Sequence, residues 1–190
     1  MKKTTIYKSW VAHILPYSNK GYPITNNWVK WIHNPTGIFH CFDCLRLHNC
    51  WFSENNHPNC PLHDNCHCYL ENIPYSQVLV EAKSESDYNK FDPYLFNRDN
   101  KYSHNKEKLF EQWGYTIEDA KWLQLEIERQ GREKYIAGEY TLGRLDLWGQ
   151  RISIRIELQR RDINDAVSFN TGWMLKPDGK IILNTPYGGK

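Results

Sequence analysis

No stretch of the 190 residues approaches the ~20 apolar residues needed to cross a bilayer as a helix, so no membrane-spanning helix is expected. An excess of one charge is lacking as well. Lys and Arg total 24 against 22 Asp and Glu, a formal net charge of +2, which excludes a strong overall field for nucleic acid and leaves any basic surface local. The opening Met-Lys-Lys-Thr-Thr-Ile-Tyr-Lys-Ser-Trp begins like an export signal. Lys8 and His13 interrupt its apolar run too early, so the chain is expected to meet a reducing cytosol, where thiols persist. Cysteine is missing from most of the chain: all six lie between Cys41 and Cys68.

That clustering marks a module, because His40, His48, His57, His63 and His67 fall in or beside the same segment. Cys41-x-x-Cys44 can aim two sulfurs at one ion from a single turn, and His63-x-x-Cys66 can supply two more ligands from a second turn. Cys68 competes with Cys66 for the fourth position, since an extended Cys66-His67-Cys68 cannot easily direct both sulfurs at one ion. Cys50 and Cys60 are left for a second partial site or as buried thiols. An even number of cysteines also fits a disulfide framework. Zinc is preferred to disulfides because histidines are interleaved and no export signal is recognised. A structural zinc is preferred to a catalytic one, because Asp43, Glu54 and Asp64 form no His-x-Glu arrangement with the ligands. The same acidic residues, with Glu71, dilute the basic charge of this region and weigh against duplex DNA binding.

Residues 1–39 are rich in aromatics, including Trp10, Trp28 and Trp31, but show no period of 2 or 3.6 and are expected to wrap irregularly. Residues 75–82 are expected to form a short strand and 83–88 a linker. Beyond it, Ser103 is expected to cap a helix that buries Leu109, Phe110 and Trp113 and stops at Gly114. Thr116 caps a second helix, with Ile117, Ala120, Leu123 and Ile127 inward and Gly131 at its end. From Tyr140 the period becomes two: Leu145 and Leu147, a turn near Trp148-Gly149, then Ile152, Ile154, Ile156 and Leu158 alternating with Arg151, Ser153, Arg155 and Glu157. Strands around 167–175 and 180–185 follow, joined by Lys176-Pro-Asp-Gly-Lys180. The expected class is α+β: a small zinc-stapled module within residues 1–82, its core at 40–68, then helices packed on an antiparallel β-sheet within 83–190.

The string Trp31-Ile-His, Cys41-x-x-Cys44-Leu and Pro61-Leu-His63-x-Asn-Cys66-x-Cys68 resembles the C-terminal end of the phage head morphogenesis family, the Mu F-like minor head proteins. Asp64 and His67 stand where that family usually has Pro and Arg, and its large helical body is absent. A second resemblance runs through Tyr94-Leu-Phe-Asn97, Lys106-Glu-Lys-Leu-Phe110, Trp113-Gly-Tyr115, Tyr140, Trp148-Gly149, Thr171-Gly-Trp173 and Leu183-Asn-Thr185-Pro-Tyr187. These residues are similar to a phage- and toxin-associated domain of the barnase, EndoU, colicin and RelE ribonuclease class. The likenesses together imply a phage or prophage protein, located in the host cytoplasm or the virion. They also imply RNA, phage head proteins or a host or immunity protein as partners, and no membrane.

A metal-independent ribonuclease needs a base for the 2′-hydroxyl proton, an acid for the leaving oxygen and cations for the phosphate. Arg151 and Arg155 on one strand face are candidate phosphate ligands, with Glu157 on that face as a base. His104 and Lys106 near a helix start, and Thr171 and Thr185 in the last strands, complete the candidate catalytic set. Related domains tend to carry a His a few residues before the position of Lys106, where this chain has Asn100. Alternating Arg, Ser, Arg and Glu is equally the solvated face of a half-buried strand, and Trp173 is expected in the core. The rival function is a non-catalytic protein of the phage head or one that binds a host factor.

Overall fold

The computed structural model describes residues 27–34, 41–96 and 106–187. The expected cap Ser103 and the candidate His104 lie outside the described residues.

The first sheet has three antiparallel strands in the order β2-β1-β3, namely β1 (Trp28–Ile32), β2 (Trp51–Ser53) and β3 (Tyr69–Ile73). β1 is the central strand, with Trp28 opposite both Ser53 and Ile73. Its Trp28 and Trp31 are fully buried and Val29 nearly so, which corrects the expectation of irregular wrapping over this stretch. Trp28 and Trp31 fall on opposite faces of β1 and both are buried, so apolar and polar residues do not alternate along it. Helix α1 (Phe42–Leu47) bridges β1 and β2.

Residues 75–81 are helical, not a strand: α2 is Tyr75–Glu81. Pro74 stands at its N-cap, where a missing N–H costs nothing, and of the helix only Val78 is buried. The expected linker in turn contains a strand. β4 (Lys83–Glu85) joins the edge of the second sheet, parallel to β8 (Lys180–Thr185), in register Lys83 with Lys180 and Glu85 with Ile182.

That second sheet has the order β4-β8-β7-β6-β5, with β5 (Thr141–Asp146), β6 (Gly149–Gln159) and β7 (Ala166–Lys176) forming an antiparallel meander with β8. The chain is therefore α+β, helices against a mainly antiparallel sheet, behind a cysteine-rich N-terminal module. α3 (Lys106–Gln112) ends before Gly114, whose φ of +83° is the left-handed turn expected there. Asp119 accepts from the Thr116 backbone N–H at 2.8 Å, and a short 3₁₀ turn then leads into α4 (Ala120–Ile136). Gly131 does not end α4; the helix runs five residues further. The glycine is there for close approach, since a Cβ would sit 2.5 Å from Cζ2 of Trp173.

α4 lies on one face of the sheet, with Leu123, Ile127 and Tyr135 buried against Ile152, Ile154, Ile156, Leu158 and Trp173. Gln130 reads the edge of β6 beyond the end of β5, donating to Glu157 O at 2.7 Å and accepting from Glu157 N–H at 3.0 Å. The two sheets share one hydrophobic core. Tyr135 donates to Trp51 O, the Tyr140 hydroxyl accepts from Ser53 N–H, and Asp178 N–H donates to Asn49 O.

Candidate functional site

The cysteine-rich module brings two short turns together. α1 starts directly after Cys41, and Leu45 N–H closes the first turn on Cys41 O, so Cys41 and Cys44 lie three residues apart on one side of that turn. The second turn closes from Cys66 N–H to His63 O, with Asn65 at a φ of +60°. His63 Nδ1 contacts Asp64 O at 2.7 Å. A carbonyl only accepts, so Nδ1 carries the proton and Nε2 is left with its lone pair. Nε2 lies 3.5 Å from Cys44 Sγ, and Cys66 Sγ also lies 3.5 Å from it.

Cys41, Cys44 and His63 offer ligand atoms all within 4.8 Å of one another, and Cys44, Cys66 and Cys68 do the same. The expected ligands are thus gathered into one cluster around Cys44. Cys66 and Cys68 are not forced into competition by strand geometry, because β3 begins only at Tyr69 and residues 66–68 form a loop. All six cysteines are free thiols. Burial pushes the Cys44 thiol up, and the neighbouring Cys66, Cys41 and Cys68 thiols push it further. At Cys66 burial also raises the thiol, but backbone hydrogen bonds at Cys68 and Leu62 and the Cys68 and Cys44 thiols bring it down to about 7. At Cys41 hydrogen bonds from Cys44, Asp43 and His63 outweigh burial and hold the thiol below its usual range. Sulfurs and one imidazole nitrogen that converge within 4.8 Å in two groups sharing Cys44 suit a cation at their centre.

Cys50 and Cys60 stand apart from the metal-competent groups among the described residues. The Cys50 thiol is buried, donates to Arg46 O at 3.6 Å, and is pushed by burial to about 12. Cys60 donates to Cys68 O at 3.5 Å. One residue absent from the sequence reading of ligands is His33, whose Nδ1 lies 3.6 Å from Cys68 Sγ. It stands 35 positions away, so no local spacing signals it.

On the second sheet, the alternation in β6 puts Arg151, Ser153, Arg155 and Glu157 on the face away from α4. Arg151 Nε is 2.6 Å from Asp146 Oδ2. Arg155 donates to Ser168 Oγ and is exposed. Glu157 is an exposed carboxylate 3.8 Å from Lys134 Nζ, and so stands as a surface pair.

Thr171 is not available to a substrate. Its side chain is fully buried, its hydroxyl donates to Ile154 O at 2.8 Å, and it accepts from Trp173 Nε1 at 2.7 Å. Both hydrogen-bonding roles serve the core, because Thr171 falls on the same face of β7 as Phe169 and Trp173.

Thr185 and Lys106 are brought together. Lys106 Nζ donates to Thr185 Oγ1 at 3.1 Å and to the Tyr94 hydroxyl at 3.4 Å, while Thr185 donates to Tyr187 O at 2.9 Å. Thr185 faces Gly172 in the neighbouring strand, which shares its face with Asn170, the residue opposite Arg155. Arg155 and Thr185 therefore lie on one sheet face, two strands apart and about 12 Å between Cα atoms by strand spacing and rise. Tyr94 joins this group through its ring as well as its hydroxyl, with Lys106 Nζ 5.3 Å from the ring centroid.

No curated protein and no solved structure matches the chain. Residues 75–187, from the first residue of α2 to just past β8, match the family described as Domain of unknown function (DUF6883), and with more than half its length covered the chain belongs to that family.

Proposed function

We propose that the second sheet carries a metal-independent, ribonuclease-type activity and that the cysteine-rich module holds a structural zinc ion. The observation that carries the first part is the Lys106–Thr185 pair, a cation fixed by a hydroxyl and an aromatic ring on the sheet face that also bears Arg155. Lysine and arginine on one sheet face suit the phosphate of RNA cleavage, where charge builds on the non-bridging oxygens. In the step envisaged, the 2′-oxygen attacks phosphorus as its proton passes to a base. The bond from phosphorus to the 5′-oxygen then breaks and that oxygen takes up a proton, leaving a 2′,3′-cyclic phosphate and a 5′-hydroxyl. Lys106 and Arg155 hold the phosphate, and Glu157 is the carboxylate on that face able to act as base.

For the metal, thiolates and one imidazole select zinc, and a carbonyl-fixed Nδ1 leaves Nε2 as the ligand. Bonds of about 2.3 Å to sulfur and 2.0 Å to nitrogen at tetrahedral angles set ligand atoms about 3.5–3.8 Å apart. The separations around Cys44 are 3.5 Å, in keeping with this. Four protein ligands close the sphere, so the ion would fold the module rather than activate water. The likeness to minor head proteins and to toxin-associated ribonuclease domains supports a phage or prophage protein that acts in the host cytoplasm or travels with the virion.

A second reading, a non-catalytic protein that binds phage head or host proteins, is favoured by α1, which exposes Phe42 and Leu45 beside the metal cluster. Incubation of the purified protein with total RNA in EDTA separates the two. Cleavage that persists in chelator and falls at least about 100-fold in Lys106→Ala and Arg155→Ala supports the ribonuclease. Intact RNA at high protein concentration rejects it and leaves the binding role.

A further inference from the structure

The β5–β6 turn presents an aromatic ring that the core does not use. Trp148 is 72% exposed, yet its backbone is held on both sides: its N–H donates to Asp146 Oδ1 at 2.9 Å, and its carbonyl accepts from Lys176 Nζ at 3.1 Å. Gly149, at a φ of +128°, lets the chain turn sharply over Met174, where a Cβ would meet the sulfur at 3.2 Å. The Asp146 carboxylate that receives Trp148 also receives Arg151 Nε at 2.6 Å. That leaves the Nη nitrogens of Arg151 without a partner among the described residues. One exposed aromatic side chain is ordinary on a protein surface. An exposed indole fixed beside two cations is not explained by packing.

Trp148, Arg151, Met174, Lys176, Ile182 and Asn184 together line an open cleft of about 460 Å³ on the sheet face opposite α4. We propose that this cleft is a nucleotide subsite that takes one unpaired base of a single-stranded RNA, with its phosphate, next to the bond to be cleaved. The indole stacks on the base, Met174 and Ile182 form an apolar floor, the Asn184 amide meets the base edge, and Arg151 with Lys176 takes the phosphate. Asn184 immediately precedes Thr185, and its carbonyl accepts from Lys90 Nζ at 3.1 Å, so the subsite and the Lys106–Thr185 pair share one strand end. A base within a duplex offers no free face to Trp148, which restricts the ligand to single strands.

This assignment rests on the ribonuclease reading for its substrate, and the two are separable by measuring binding and cleavage apart. The probe is a fluorescein-labelled uridine hexanucleotide with 2′-O-methyl groups, which cannot be cut by 2′-oxygen attack, titrated by anisotropy at low salt. Trp148→Ala and Arg151→Ala are each expected to weaken binding about tenfold, and Trp148→Phe, which keeps a stacking ring, to stay within about threefold of the parent. Binding that is unchanged in Trp148→Ala overturns the subsite, and if total RNA is still cleaved the ribonuclease reading survives alone. Binding that depends on Trp148 while total RNA stays intact upholds the subsite and overturns the ribonuclease. A parent protein that neither binds the probe nor cuts RNA overturns both.

Discussion

The Tyr135 hydroxyl donates a 2.8 Å hydrogen bond to the carbonyl of Trp51, tying the last turn of α4 to β2 of the first sheet across 84 residues. Both residues are buried, and the Tyr135 ring meets Trp28 edge-on with centroids 5.0 Å apart. This contact makes the cysteine-rich module and the second sheet parts of one core.

Tyr135→Phe keeps the ring and removes only the donor. It is expected to cost about 1–2 kcal/mol, the penalty for a buried carbonyl left short of a partner. Urea unfolding should show a lower midpoint with an unchanged slope. An unchanged midpoint would mean that the hydroxyl does not couple the two sheets.

Gly131→Ala tests the close approach of α4 to Trp173. Alanine ordinarily gains about 1 kcal/mol over glycine inside a helix. Here the added methyl meets the indole at 2.5 Å, and overpacking of about 1–3 kcal/mol opposes the gain. The expected result is a net loss of stability, seen as a melting temperature several degrees lower.

Metal removal should act on the fold before it acts on chemistry. Structural zinc contributes on the order of 10 kcal/mol in small modules, so a strong chelator is expected to lower the melting temperature by more than about 10 °C. Elemental analysis should find one zinc per chain in the parent, little in Cys44→Ser, and an undiminished content in Cys60→Ser. Loss of zinc in Cys60→Ser would redraw the ligand set.

The Trp148 turn should respond to acid through Asp146. The Trp148 backbone N–H, then Arg151 and Arg144, hold that carboxyl below its ordinary value of 3.8. A depressed folded pKa gives stabilisation that is present above the unfolded value and lost as pH falls through the folded one. The Trp148 indole resonance should therefore stay constant from neutral pH down to about 4 and shift only below it. Asp146→Asn, which keeps an acceptor for the N–H but drops the charge, is expected to leave the turn in place and abolish that acid shift.

The order of elements in the second half was legible because burial there is one-sided. Ile152, Ile154, Ile156 and Leu158 face α4 while Arg151, Arg155 and Glu157 do not, so period two survives in the sequence, and the β7–β8 hairpin followed from Pro177 and Gly179. The gathering of Cys41 with Cys44 and of His63 with Cys66 was legible for a related reason, since each pair is set by one local turn. β1 shows no alternation because its buried tryptophans sit on opposite faces, and α2 carries no helical period because only one of its seven residues is buried.

What the sequence determined by itself is local: capping at Thr116, the left-handed residue at Gly114, strand alternation, and the two turns that pair Cys41 with Cys44 and His63 with Cys66, each fixed by neighbours a few residues apart. Tertiary structure alone decided the rest. It put Thr171 into the core, carried helix α4 past Gly131 to rest on Trp173, set His33 beside Cys68, and joined Lys106 to Thr185. Each of these depends on chain segments that meet only after folding, where hydrogen bonds and packing between distant strands outweigh the preferences of the residues nearby.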